Sequence, residues 1–180
     1  MRIFINPGHA PDVNVDPGAI NSRLGLQESV IAAKIGNRVA KYLAAVGYEV
    51  KFFQNDSLQD ICDEANAWNA DLFVSIHCNA ANGNARGTET YYARYSDAGH
   101  RLAEYINQQI VDSIDSGYSH WNRGAKPANY YVLTHTDMPA VLVETAFIDN
   151  DYDARLLVER EDDFARAIAR GITDITNVFN

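Results

Sequence analysis

The chain has 180 residues, 47% of them hydrophobic and 11% aromatic, the proportions of an ordinary folded protein and not of a disordered or fibrous one. A formal charge of −9 argues against nucleic acid, whose binding needs clustered Lys and Arg, and against electrostatic adhesion to anionic membranes or polymers. No apolar run approaches the roughly 20 residues that span a bilayer, and the apolar stretch after Arg2 is too short for a secretory h-region. The length suits one domain over residues 1–180.

Residues 2–6 form the first expected strand. Ile31, Ile35, Val39, Leu43 and Val46 then recur at helical spacing, with Gly47 as the stop, and residues 48–54 form a second strand, completing a βαβ unit. A helix over about 57–69 leads into the mostly apolar run Asp71 to His77, suited to a central strand. A short strand at Thr88–Arg94 follows. Two amphipathic helices cover the sheet, one with Leu102, Ile106, Ile110 and Ile114 on a stripe and a last one with Phe164, Ile168, Ile172 and Ile175. Between them, Tyr130–Leu133 and Ala140–Glu144 read as two strands whose short connection forces an antiparallel pairing. The alternation of strands and helices predicts an α/β fold: a three-layer sandwich with a mostly parallel sheet of about six strands and helices on both faces. Cys62 and Cys78 are too few for a disulfide framework and too far apart for a CxxC site. Buried free thiols are expected, with a single bridge as the alternative.

Open parallel sheets bind ligands beyond the carboxyl ends of their strands. His9 follows the first strand, His77 closes the central one and Glu144 closes the strand at 140–144; if these run parallel, all three share one edge. The helix returning from the first strand begins near Gln27-Glu28, which brings Glu28 to the same edge. Two imidazoles and a carboxylate suffice for a catalytic zinc ion, with one position left for water, and the second carboxylate would be free to act on that water. Taken singly, each residue has an ordinary explanation: a loop histidine, or a Glu favouring a helix N-terminus. A Glu closing an apolar strand is harder to explain without a partner or a function. Placement alone leaves the metal site and an incidental cluster both open.

The segments Ile5-Asn6-Pro7-Gly8-His9, Asp16-Pro17-Gly18-Ala19, Glu28, Ser75-Ile76-His77-Cys78-Asn79-Ala80, Gly87-Thr88-Glu89-Thr90-Tyr91-Tyr92, Arg123-Gly124-Ala125-Lys126 and Met138 to Glu144, with Phe147 and Asn150 beyond, resemble in order the zinc-dependent N-acetylmuramoyl-L-alanine amidase family of cell-wall enzymes and phage endolysins. The resemblance implies an α/β fold, Zn²⁺ bound by His9, Glu28 and His77, and Glu144 as the catalytic residue. It implies hydrolysis of the amide between N-acetylmuramic acid and L-alanine in peptidoglycan. The rival readings are a zinc peptidase acting within the stem peptide and a non-catalytic wall-binding module. The chain departs from the usual pattern at Asn6, Ala10 and Ala146, where such families have Asp, Gly and Gly; the first change bears on what supports the metal ligands.

Other residues carry weaker expectations. His135, at the end of the antiparallel strand, should sit opposite the metal edge, and His100 and His120 should be solvated. Cys78 should point away from His77 and Asn79 back toward its face. Tyr91, Trp121, Asn129 and Tyr130 are candidates for holding sugar or peptide, and Asn150 for capping a short helix. The expected agent is a monomer acting at the bacterial cell wall, with no export signal in this chain.

Overall fold

The computed structural model describes residues 1–114 and 116–179, with the backbone alone at 177–179. In chain order the elements are β1 (Arg2–Pro7), the short hairpin β2 (Ile20–Asn21) and β3 (Leu26–Gln27), α1 (Glu28–Ala45), β4 (Glu49–Phe52), α2 (Leu58–Ala67), β5 (Leu72–Asn79), β6 (Thr88–Ala93), α3 (Asp97–Ser113), β7 (Asn122–Ala128), α4 (Tyr131–Thr134), β8 (Ala140–Phe147), α5 (Asp151–Glu159) and α6 (Glu161–Phe179). The main sheet has six strands in the order β4-β1-β5-β8-β6-β7. Strands β4, β1, β5 and β8 are mutually parallel, β6 runs antiparallel to β8, and β7 lies parallel to β6 on the outer edge.

Side-chain alternation along the strands divides the core into two layers. Ile3, Ile5, Leu72, Val74, Ile76, Val141 and Val143 face α1, α3 and α6, whose apolar stripes include Ile35, Ile106 and Ile168. Phe4, Phe73, Ala140 and Leu142 face the other way, against Ile61 and Ala65 of α2 and Val132 and Leu133 of α4. This is the expected three-layer sandwich. Cys62 and Cys78 are both buried free thiols. They belong to opposite layers, Cys62 within α2 and Cys78 against α1 and its neighbours, so the sheet separates them.

Two elements differ from expectation. Tyr130–Leu133 is not a strand: Tyr131–Thr134 form a helical turn, closed by Leu133 and Thr134 amides donating to the Tyr130 carbonyl. A run of so few apolar residues fits a buried turn as well as a strand, and periodicity cannot separate the two. The antiparallel partner of β8 is β6 instead. His135 still lies away from the edge that carries His9, His77 and Glu144, because its carbonyl accepts from Asn66 near the far end of α2. The second difference is β7, a polar strand containing Gly124 and Pro127; proline is tolerated there because the strand is an edge.

A buried carboxylate fastens the segments that follow the site strands. Asp153, fully buried in α5, accepts from Arg86 Nε at 2.8 Å and from the amides of Gly87 at 2.9 Å and Phe147 at 3.2 Å. Asn150 caps α5 as expected, accepting from the Tyr152 and Asp153 amides. Removing one partner of such a pair strands the other, at a cost of about 3–5 kcal/mol. Asp153→Ala should therefore lower the urea midpoint by that equivalent with an unchanged m-value, and Arg86→Ala combined with it should add little. A loss below 1 kcal/mol would show that the pair is not structural.

Candidate active site

The parallel run of β1, β5 and β8 carries three chain segments to one edge. His9 lies two residues beyond β1, His77 is near the end of β5, and Glu144 is its direct neighbour in β8. The loop from Ala10 to Gln27 returns the chain to the same edge, where Glu28 opens α1. Its helix start does not rely on Glu28 for capping. Gln27 makes no side-chain cap, and the Glu28 and Ser29 amides donate instead to the carbonyls of Ala19 and Pro17, at 2.9 and 3.0 Å. The carboxylate is thereby free to turn inward.

Glu28 is 4% exposed and is surrounded by donors. Oε1 accepts from the Cys78 amide at 3.0 Å and lies 2.9 Å from His77 Nδ1; Oε2 accepts from the Ala19 amide at 2.9 Å and lies 3.0 Å from His9 Nε2. One ligand atom from each of His9, Glu28 and His77 fall within 4.8 Å of one another. Atoms coordinating a common ion at roughly 2.0–2.2 Å must crowd to about this degree. The space is shaped for these groups: a Cβ on Gly8 would meet the His77 ring at 2.2 Å, and one on Gly18 would meet His9 and Glu28 at 2.5 and 2.7 Å. His9 itself takes a positive φ of 66°, an unusual conformation for a side-chain-bearing residue, held between these contacts. The residues present can hold a divalent metal ion.

Asp16 is the supporting group that sequence reasoning left without a role. Its Oδ2 lies 2.8 Å from His9 Nδ1, and its Oδ1 accepts from the Gly18 amide at 3.0 Å. That contact directs His9 Nε2 toward the cluster. Asn6 does not perform this task. It accepts from Ser75 Oγ and donates to the Pro7 and Phe53 carbonyls, tying β1 to β5 and to the chain after β4. The departure at position 6 therefore lies outside the contacts of the candidate ligands.

The electrostatics follow from burial and proximity. Burial works against a charge on His9, but hydrogen bonds and charges from Glu28 and Asp16 outweigh it and raise its pKa from 6.5 to about 9. Burial likewise opposes ionisation of Glu28, and the hydrogen bonds from His77 and His9 overcome it, holding the carboxyl well below its usual range. Glu144 behaves oppositely: burial raises it to about 7, His77 pulls it down, and the charges of Glu28 and Glu89 push it up. Its Oε2 is buried without a hydrogen-bond partner among the described residues. A carboxyl of that kind is poised for proton transfer near neutral pH.

Glu89 is a second residue that sequence reasoning passed over. It stands directly across from Glu144 in the β6–β8 ladder and is 2% exposed. Unlike Glu144 it is fully engaged, accepting from Asn79 at 2.5 Å, from Lys126, and pairing with Arg123 at 3.3 Å. Burial raises its pKa, and the two cations more than reverse that. Only the cross-strand register reveals it, because a Glu in a short strand is ordinarily solvated.

A cleft of about 420 Å³ opens over the edge, lined by His9, Asp16, Asp56, His77, Tyr130, Tyr131 and Glu144 among others. Tyr130 packs edge-on against Tyr91, and Tyr131 stacks on His135 at 3.8 Å. Of the aromatic candidates, Tyr130 reaches the cleft and Tyr91 supports it. Trp121 is a core residue against Phe164, and Asn129 is exposed. Cys78 turns to the opposite layer and meets Thr145.

Residues 3–174 match the family described as N-acetylmuramoyl-L-alanine amidase. The N-acetylmuramoyl-L-alanine amidase LytC of Bacillus subtilis (strain 168) is 40% identical over 178 residues, covering 94% of this chain and 34% of the relative. The sporulation-specific N-acetylmuramoyl-L-alanine amidase of the same organism is 35% identical, covering 95% of this chain and 65% of the relative. The chain thus spans between about one third and two thirds of the length of these two relatives. Among solved structures, the N-acetylmuramoyl-L-alanine amidase AmiC2 of Nostoc punctiforme superposes with a TM-score of 0.88 at 34% identity, covering 98% of this chain and 97% of that one. With a family match that takes in nearly every residue of the sheet and its edge, the chain belongs to the N-acetylmuramoyl-L-alanine amidase family.

Proposed function

We propose that the chain is a zinc-dependent peptidoglycan amidase that hydrolyses the bond between the lactyl group of N-acetylmuramic acid and the L-alanine of the stem peptide. The observation that carries this reading is the juxtaposition, on one sheet edge and in one cleft, of a His-Glu-His cluster with a buried carboxyl that has an unpartnered oxygen. Family membership supplies the substrate class. His9, Glu28 and His77 hold the ion, and one chain provides every group, so a monomer suffices. Among the described residues no helix is long and apolar enough to cross a membrane, and the proposed place of action is the cell wall.

Bound zinc supplies a Lewis acid for the amide carbonyl and brings the pKa of water toward ~7. The protein groups do the rest. Asp16 fixes the His9 ring with Nε2 toward the cluster. Glu144 takes a proton from the attacking water through its free oxygen and delivers it to the departing alanine amine, closing the proton balance of the hydrolysis. The positive charge of a bound ion would favour the ionised form of Glu144, so that it would begin as the base. The cleft walls, with Tyr130 and Tyr131, hold substrate against this edge.

Digestion of purified peptidoglycan is expected to release alanine amino groups with no new reducing ends. Mass-spectrometric fragments cut between stem residues would point to a peptidase, and binding without products to a wall-binding module. Glu144→Gln should keep its zinc and lose at least ~10²–10⁴ in kcat, the usual worth of acid–base assistance. Glu28→Gln should lose zinc, as should Gly8→Ala, whose new methyl displaces the His77 ring. Full zinc in Glu28→Gln with an emptied Glu144→Gln would exchange the two roles.

Metal binding should also release protons. A zinc ligand must be neutral at its nitrogen, and His9 is protonated below about 9 in the metal-free protein. Calorimetry at pH 7.5 in buffers of different ionisation enthalpy should show more than one proton released per zinc, one from His9 and a further fraction from the bound water. The sign for stability is opposite: the ion pairs of His9 stabilise the metal-free fold fully below pH 6.5 and lose that contribution as pH rises through about 9. Zinc binding with no proton release would mean that His9 is not a ligand.

A further inference from the structure

We propose that Arg123 and Lys126, gathered around Glu89 beside Glu144, form a subsite for a free carboxylate of the stem peptide and set the direction in which substrate lies across the site. The inference rests on the amidase reading and adds to it which flank takes the peptide and which takes the sugar.

The two flanks of the edge differ in charge. On the β1 side the cleft wall carries Asp16 and the exposed Asp56, with Leu58, whereas Tyr130 packs on Tyr91 of β6. On the β7 side two cations share the single buried carboxylate of Glu89, leaving a net positive charge in a chain whose total is −9. Both cationic side chains remain about one-third exposed, 35% for Arg123 and 39% for Lys126. Neither is loose. The Arg123 guanidinium lies 5.0 Å over the Phe147 ring while its Nε faces Glu89, and Lys126 donates to the same carboxylate. Donors fixed in this way lose little freedom on binding an anion.

Spacing agrees with the chemistry. Glu144 on β8 is flanked by Glu89 on β6 and then by β7, and because Arg123 and Lys126 reach back from β7 to the Glu89 carboxylate, their charged ends lie nearer to Glu144 than the ~10 Å of two strand intervals that separates the backbones. From the scissile bond, L-alanine and the next residue span about 7 Å when extended. The carboxylate of that second, glutamate-derived residue therefore reaches the cations. The opposite flank, which is acidic, would repel an anionic peptide and suits the uncharged sugar rings. Glu89 is the anchor: without it the two cations would repel each other, and with it they are held as a pair on the strand next to Glu144.

The test compares two stem tripeptides, L-Ala-D-isoglutamate-L-Lys and its D-isoglutamine counterpart, which differ only in that carboxylate. NMR titration of the zinc-loaded wild type should show the acid binding about fivefold or more tighter than the amide, with the largest shifts at residues 123–126. Lys126→Arg should keep the preference, and Arg123→Met with Lys126→Met should abolish it. A merely structural defect would weaken both peptides alike and leave their ratio unchanged. Equal binding of the two peptides by the wild type, no binding of either, or a double variant that retains the preference would overturn the proposal. The matching muramoyl tripeptides, assayed for hydrolysis, separate the two levels: if neither is cleaved while acid-selective binding persists, the amidase reading fails and the subsite stands.

Discussion

The arrangement of the whole edge depends on one buried carboxylate. Glu28 ties together the loop after β1, the end of β5 and the first turn of α1 through two imidazoles and two backbone amides. A charge in that position is tolerable only because every lone pair is engaged. Once it is in place, the loop between Ala10 and Gln27 has little choice of path: its carbonyls at Pro17 and Ala19 must meet the helix amides, and Gly18 must pass close to His9 and Glu28. The site is thus built into the βα junction and is not an ornament on a finished sheet.

A second constraint is the contrast between two glutamates that face each other across β8 and β6. They are alike in residue type and register, yet Glu89 is saturated with donors and Glu144 has an oxygen with none. The environment separates their ionisation, lowering one and raising the other to about 7. In two neighbouring carboxyls, such a division marks a fixed charge on one side and a proton carrier on the other. The sheet makes the division possible, because β7 brings cations to Glu89 that cannot reach Glu144.

Much of this is legible in the amino-acid sequence. Strand ends placed His9, His77 and Glu144 on one edge because apolar β1, β5 and β8 are buried on both faces and so read as continuous hydrophobic runs. The amphipathic stripes of α1, α3 and α6 were equally plain. What stayed hidden was set by partners distant in the chain. Tyr130–Leu133 has the composition of a strand, and only the α2 layer beneath it decides for a turn. Asn122–Ala128 lacks strand composition and pairs because β6 offers it an open edge. Asp16 and Glu89 look like surface acids until the fold delivers His9 to one and Lys126 to the other. The change at Asn6 seemed to bear on the metal, whereas its neighbours are Ser75 and backbone carbonyls.

The central claim is that His9, Glu28 and His77 together form the metal centre while Glu144 stands free. A crystal structure of the zinc-soaked protein, with anomalous differences measured at the zinc edge, tests this most directly. One strong peak is expected within about 2.0–2.3 Å of His9 Nε2, His77 Nδ1 and a Glu28 oxygen, with Glu144 outside that distance. A peak coordinated by Glu144, or one seated away from His9 and His77, would contradict the account.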